Sequence, residues 1–310
     1  MTSKGTPAAQ ASGAASSSAA PSAAKPGSTP SESALKSEIE KIEKASGAKS
    51  VAVALHDFES GFELHYNADR WFHAASTIKV PILLGVFAAI DRGDLLPHSR
   101  VHVRNRFLSV VEDIPFRVES GRDSNSAVHN AIGKMMRVDE LAYHMITTSS
   151  NLATNLLLGV IGPQSVNDAL RELHLEEGID LKRGVEDELA FDKGINNMVT
   201  ANGLLKILVM LAEGKAFSPA LSRRMMDILH GQEFNQGIPA KLPKGTRVAH
   251  KTGEISTVAH DAGVVYLPKR KPYALVILTE WDQSTSGRSR TIASISHTIY
   301  EALTRGPADE

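Results

Sequence analysis

Strand-forming segments sit only near the two ends of this chain, and that placement restricts its fold more than any other feature. Residues 51–57 (VAVALHD) and 62–67 (FELHYN) read as strands, and FESG between them, a short polar break ending in glycine, suits a hairpin connection. Comparable segments return only far downstream, at 246–251, 261–267 (DAGVVYL) and 273–280 (YALVILTE). Before the first strand, Leu35, Ile39 and Ile42 fall on one stripe behind a capping Ser31 or Ser33, so the spacing predicts an amphipathic helix ending near Gly47. A second helical stretch runs from about Arg288 to Leu303. The middle of the chain has helix-type spacing or composition at 76–90, 138–149, 151–159, 165–173, 199–213 and 219–230, with almost no strand candidates between them. One sheet built from both chain ends, interrupted by a helical insertion, accounts for this order. The seam between the two parts is a natural place for a small-molecule cleft.

Composition narrows the chemistry. The 310 residues are 42% hydrophobic and 22% charged, the balance of an ordinary globular protein, and the formal net charge of -1 implies no general attraction to nucleic acid or anionic membrane. The absence of cysteine excludes a thiol nucleophile, disulfides and thiolate metal sites. No run approaches the roughly 18 apolar residues of a membrane span, and no Leu, Ile, Val or Phe precedes Leu35, so neither a transmembrane helix nor a signal core is expected. Residues 1–30, rich in Ala, Ser, Pro and Gly, read as a disordered tail or leader remnant. His98 and His102 have the spacing of a metal pair on a helix but lack a third ligand, and there is neither a phosphate-binding glycine loop nor a G-x-S-x-G elbow. No metal or cofactor is expected.

Three short motifs carry the chemistry. In HAASTIKVPILLG, a helix opening at Ser76 places Lys79 almost one turn on and on the same face, where a lysine depressed by burial can take the serine proton. Taken alone, the pair reads equally well as a capping serine and a snorkelling lysine. HMITTSSNLATNLLL supplies Ser149, Asn151 and Asn155, with Ser149 also a sound helix cap, and VAHKTGEI supplies Lys251, Thr252 and Gly253, where an edge-strand lysine is the plain alternative.

In this order and at these separations, the motifs resemble those of class A β-lactamases and their penicillin-binding relatives, over roughly Ser33 to Gly306. The resemblance implies that Ser76 is the nucleophile and that Ser149 passes a proton to the leaving nitrogen. It implies that Asn151 holds the substrate side-chain amide and contacts Lys79, and that Lys251 and Thr252 serve a substrate carboxylate. Gly253 would admit the substrate to the strand, and the backbone N–H groups of Ser76 and Glu254 would form the oxyanion hole. Glu186 stands where the family places its deacylating base, with Glu188 and Leu189 in the flanking pattern, and Asn155 matches the asparagine that orients that glutamate and is grouped with the substrate-binding residues. The chain departs from the family at Ser150 (usually aspartate), Asp187 (usually proline), Ala190 (usually the asparagine that holds the hydrolytic water) and Glu254, an unusual residue there. The loop before the next helix is also short. Arg247 lies near the family's carboxylate-binding arginine without a secure match, and His250 and His260 read as structural or exposed.

The expected architecture is α+β: a five-stranded antiparallel sheet flanked by terminal helices (31–69 and 240–306) with an inserted all-helical domain (70–239), and tails at 1–30 and 307–310. The implied activity is hydrolysis of a β-lactam, a small-molecule substrate, by an exported enzyme taken by default as a monomer with no nucleic-acid partner. A D-alanyl-D-alanine peptidase or esterase on the same scaffold, and a penicillin-binding sensor without turnover, are the alternatives.

Overall fold

The computed structural model describes residues 30–282 and 285–304; apart from Pro30, the expected tails fall outside them. Both ends of the chain meet in one sheet. Strands β1 (Ser50–Asp57), β2 (Glu63–Tyr66), β3 (Arg247–Ile255), β4 (Val258–Tyr266) and β5 (Tyr273–Glu280) form an antiparallel sheet in the order β3-β4-β5-β1-β2. The central pairing sets Val51 opposite Thr279 and Leu55 opposite Leu275.

The pleat sorts side chains between two cores. Val51, Val53, Leu55, Tyr273, Leu275 and Ile277 face helices α1 (Glu32–Ser46) and α9 (Arg288–Thr304). The alternate residues Ala52, Ala54, Ala274, Val276 and Leu278 join the larger core on the other face. Burial on both faces explains why β1 and β5 read as almost continuous apolar runs. Helix α1 is capped by Ser31, one of the two expected caps, and ends at Gly47 in the left-handed conformation with φ 73°.

The insertion contains α2 (Lys79–Asp91), α3 (Val138–Thr147), α4 (Asn151–Ile161), α5 (Pro163–Glu172), α6 (Glu188–Asp192), α7 (Ala201–Ala212) and α8 (Pro219–His230). Helix α2 is buried from Lys79 to Ala89 because other elements surround it, and α7 packs on β1 and β5. The insertion also holds short extended pieces that periodicity did not reveal. Arg100–His102 pairs with Met135–Arg137, Phe107–Leu108 with Pro115–Phe116, and Met198–Val199 lies between Phe72–His73 and Ile179–Asp180. Two- and three-residue strands leave almost no alternation to read. His98 lies in a turn and His102 in one of these ribbons, so they are not a helical pair. Among the described residues, no helix is long and apolar enough to cross a membrane.

Candidate active site

Ser76 lies in a 3₁₀ turn, Ala75–Ile78, and α2 begins only at Lys79. The expected α-helical turn is therefore replaced by a tighter one, in which residues three apart eclipse, so Ser76 and Lys79 still share a face. The ammonium of Lys79 is directed into the second motif. It donates to the carbonyl oxygen of Ser149 at 2.6 Å, to Ser149 Oγ at 3.0 Å and to Asn151 Oδ1 at 2.7 Å. Complete burial pushes Lys79 down to about 7, partly offset by the charges of Asp123 and Glu186.

Ser149 has φ 57°, which turns the chain so that its carbonyl and hydroxyl both meet Lys79. The helix cap is Ser150 rather than Ser149, since Ser150 Oγ accepts from Ala153 N at 3.2 Å. Asn151, the first residue of α4, uses its whole amide group: Oδ1 accepts from Lys79, and Nδ2 donates to Glu186 Oε1 at 2.6 Å. Asn155 is buried one turn further along. Its Nδ2 donates to Val185 O at 2.8 Å and its Oδ1 accepts from Val185 N at 2.9 Å. Both polar ends hold the loop backbone beside Glu186.

Glu186 has φ 60°, and its Oε2 accepts from Glu119 N at 3.0 Å. The loop around it is fastened by side chains. Asn197 Oδ1 accepts from Lys182 N and Arg183 N at 2.8 and 3.0 Å. Asp187, where the family usually has proline, is a buried cap for α6: it accepts from Ala190 N at 3.1 Å, Ser109 Oγ at 2.7 Å and Val110 N at 3.0 Å. Ala190 is buried in the same wall.

The third motif lies on edge strand β3. Lys251 is fully buried, which rules out a solubilising role, and donates to Thr252 O at 2.8 Å. Burial, reinforced by the charge of Lys79 and opposed by Asp261, holds it well below the usual lysine range. At Gly253 the strand meets the nucleophile's backbone: an added Cβ would stand 2.9 Å from Thr77 N and 3.0 Å from Ser76 N. Glu254 sends its exposed carboxylate to Arg288 Nη2 at 2.5 Å, while Arg288 Nη1 also holds Ile255 O and Ser256 O at 2.6 and 2.8 Å. The unusual negative charge is thus paired with α9.

Both histidines flanking this motif are buried and hydrogen-bonded within the protein, and His260 also lines the smaller of the two cleft cavities. His250 Nδ1 pairs with Asp261 Oδ1 at 2.8 Å. His260 Nε2 donates to His73 O at 2.9 Å, and burial lowers its pKa to about 4. Arg247 stacks over Tyr266, 5.9 Å from the ring centre, rather than lining the cleft.

Two adjoining cavities, of about 640 and 370 Å³, share Ser76, Arg122, Asn151 and Glu254 in their walls. The larger reaches Glu186, and the smaller reaches Ser149, Thr252 and Gly253. Motif reading missed Arg122, which donates to Glu188 Oε1 at 2.6 Å, and Asp123, whose carboxylate accepts from Ser150 Oγ at 2.9 Å and Asn151 N at 2.5 Å. Both come from an irregular segment without periodicity, and their partners are distant in sequence.

A serine on a tight turn, with two buried lysines and a glutamate close by at the seam of sheet and insertion, defines a cleft of the penicillin-recognising serine hydrolase class. Comparison with known proteins agrees with this. A family model described as the Beta-lactamase enzyme family matches residues 34–303, and the chain belongs to that family. A beta-lactamase of Streptomyces albus G is 27% identical over 271 residues, covering 84% of this chain and 82% of the relative. The ancestral (GNCA) class A beta-lactamase structure superposes with a TM-score of 0.75 at 27% identity, covering 86% of this chain and 99% of the other. The structure of PBP-A gives 0.74 at 27% identity, covering 87% and 96%.

Proposed function

We propose that this protein opens β-lactam amides through an acyl-enzyme at Ser76 and releases the product with water activated by Glu186. The observation that carries this reading is the continuous array Lys79–Asn151–Glu186, in which one amide group links a lysine depressed to about 7 with the carboxylate. A lysine half-neutral near pH 7 can take the Ser76 proton directly, and a water relayed through Glu186 is the other route. Ser76 Oγ then bonds to the lactam carbon, and the oxyanion is met by the N–H groups of Ser76 and Glu254. As the carbon–nitrogen bond breaks, Ser149 gives its proton to the nitrogen and regains one from Lys79, which its hydroxyl contacts at 3.0 Å. Water deprotonated by Glu186 then adds to the ester, and the proton returns to Ser76 Oγ as the acid product leaves. Lys251 supplies positive potential, and Thr252 supplies a hydroxyl for the substrate carboxylate.

We take the substrate to be a small molecule and the protein to act as a monomer. We place that action outside the cytoplasm, where lactams meet cell-wall enzymes.

The test follows intact mass and product absorbance after mixing with a chromogenic cephalosporin. The parent should turn over many times, Ser76→Ala should form no adduct and Glu186→Ala should trap one. The likeness to PBP-A favours a penicillin-binding or peptidase role as the second reading. A parent that stays acylated would select it, and a folded parent that never forms an adduct would sink both.

A further inference from the structure

The segment Glu119–Asp123 touches both walls of the cleft. Toward the loop before α6, Glu119 N donates to Glu186 Oε2 at 3.0 Å, and Arg122 Nη1 to Glu188 Oε1 at 2.6 Å. Toward the second motif, the Asp123 carboxylate accepts from Ser150 Oγ at 2.9 Å, Asn151 N at 2.5 Å and Leu152 N at 3.4 Å. The Asp123 side chain is completely buried, and His129 Nε2 stands 3.2 Å from its Oδ2. A buried carboxylate is costly unless donors surround it. Here the donors belong to the turn that carries Ser149 and Asn151, so carboxylate and turn fix each other. Position 150, where the class A pattern that the sequence resembles has an aspartate, carries a hydroxyl here that donates to Asp123.

We propose that Asp123 is a positioning residue for this active site, its carboxylate delivered from 27 residues upstream to do what an aspartate at position 150 would do locally. The strap that carries it thereby keeps Lys79, Asn151 and Glu186 in register. The inference rests on the proposed roles of Ser76 and Lys79.

Electrostatics supplies a readout that a purely structural role would not move. The charged groups acting on Lys79 are Asp123 from the strap and Glu186 from the loop before α6, which both raise its pKa, while the charge of Lys79 in turn lowers Lys251 on β3. Removing the Asp123 charge therefore lowers Lys79 further.

Three proteins are compared: the parent, Asp123→Asn and the exchange variant Asp123→Asn/Ser150→Asp. Lys79 is titrated in each without ligand by NMR of ¹³C-labelled lysine, and kcat/KM is measured against pH. Asp123→Asn should lose about 10- to 100-fold in kcat/KM, as expected for a misplaced catalytic group. Its Lys79 midpoint and acid limb should move down by about one pH unit, and the exchange variant should recover both. An unchanged midpoint in Asp123→Asn, or an exchange variant no better than Asp123→Asn, would overturn the proposal. Should Asp123→Asn not fold, the exchange variant decides: recovery of fold and rate supports the proposal, and any other result overturns it. A parent that is never acylated would defeat the functional reading, while the ligand-free titration would still decide the role of Asp123.

Discussion

Asn151 and Glu186 are joined by a 2.6 Å hydrogen bond from side-chain amide to carboxylate. The other end of the same amide accepts from Lys79, so the groups assigned to acylation and deacylation share one intermediary. Substitution of that intermediary should disturb both half-reactions.

Asn151→Ala removes two hydrogen bonds to ionisable groups, each worth about 1.5–3 kcal/mol. Acylation and deacylation rates should both fall by about 10- to 100-fold. Pre-steady-state measurement of the acylation burst and the following turnover separates them. A loss confined to substrate affinity would contradict the shared role.

The depressed Lys79 sets a pH profile. Below about 7 the amine is protonated and cannot accept the Ser76 proton, so kcat/KM should rise with pH through that value and level off above it. Stability moves the same way. Between that value and the ordinary lysine range the unfolded chain binds more protons at Lys79 than the folded one does, so this residue's contribution to stability increases with pH across the window. Initial-rate profiles and denaturant titrations at several pH values check the two statements.

Asp187→Ala should cost about 2–4 kcal/mol, since it removes the cap of α6 and leaves three donors short of an acceptor. Calorimetry should show a lower Tm. Deacylation should suffer more than acylation, because the anchored residue is next to Glu186 in the chain.

Gly253→Ala would place a methyl group against the backbone nitrogens of Thr77 and Ser76. Backbone cannot swing aside as a long side chain can, so β3 must move away from the nucleophile. Acylation should slow at least about tenfold with the fold retained, as judged by circular dichroism.

The fold was legible because its information is local. The apolar runs at 51–57 and 273–280 and the stripe of Leu35 and Ile39 each lie within a few residues, and β1, β5 and α1 follow them. The nucleophile turn and the Lys251 strand were legible through motif order. What escaped reading depends on long-range contact. Asp123 has no local pattern, and its partners begin 27 residues away. Arg122 reaches Glu188 across 66 positions. The Asp187 cap has a local signal, an aspartate directly before E-L-A, but its bonds to Ser109 and Val110 reach back across more than 70 positions. Ser150 is the same kind of case: its hydroxyl gives no local sign of the carboxylate that it meets 27 residues upstream.

The register of Val51 against Thr279 also has a temporal meaning. A ribosome releases the β1–β2 hairpin early and its neighbour β5 almost last, and an isolated hairpin is marginal in water. Until then β1 presents an open apolar edge, the kind of surface that recruits other chains. Lys251 and Gly253 emerge just as late, so the helical segments with Ser76 and Glu186 are made while the nucleophile still lacks its facing strand. A chain that ends between β2 and β3 should therefore keep an open β1 edge and lack the strand of Lys251 and Gly253, so the last fifth of translation both covers that edge and completes the cleft.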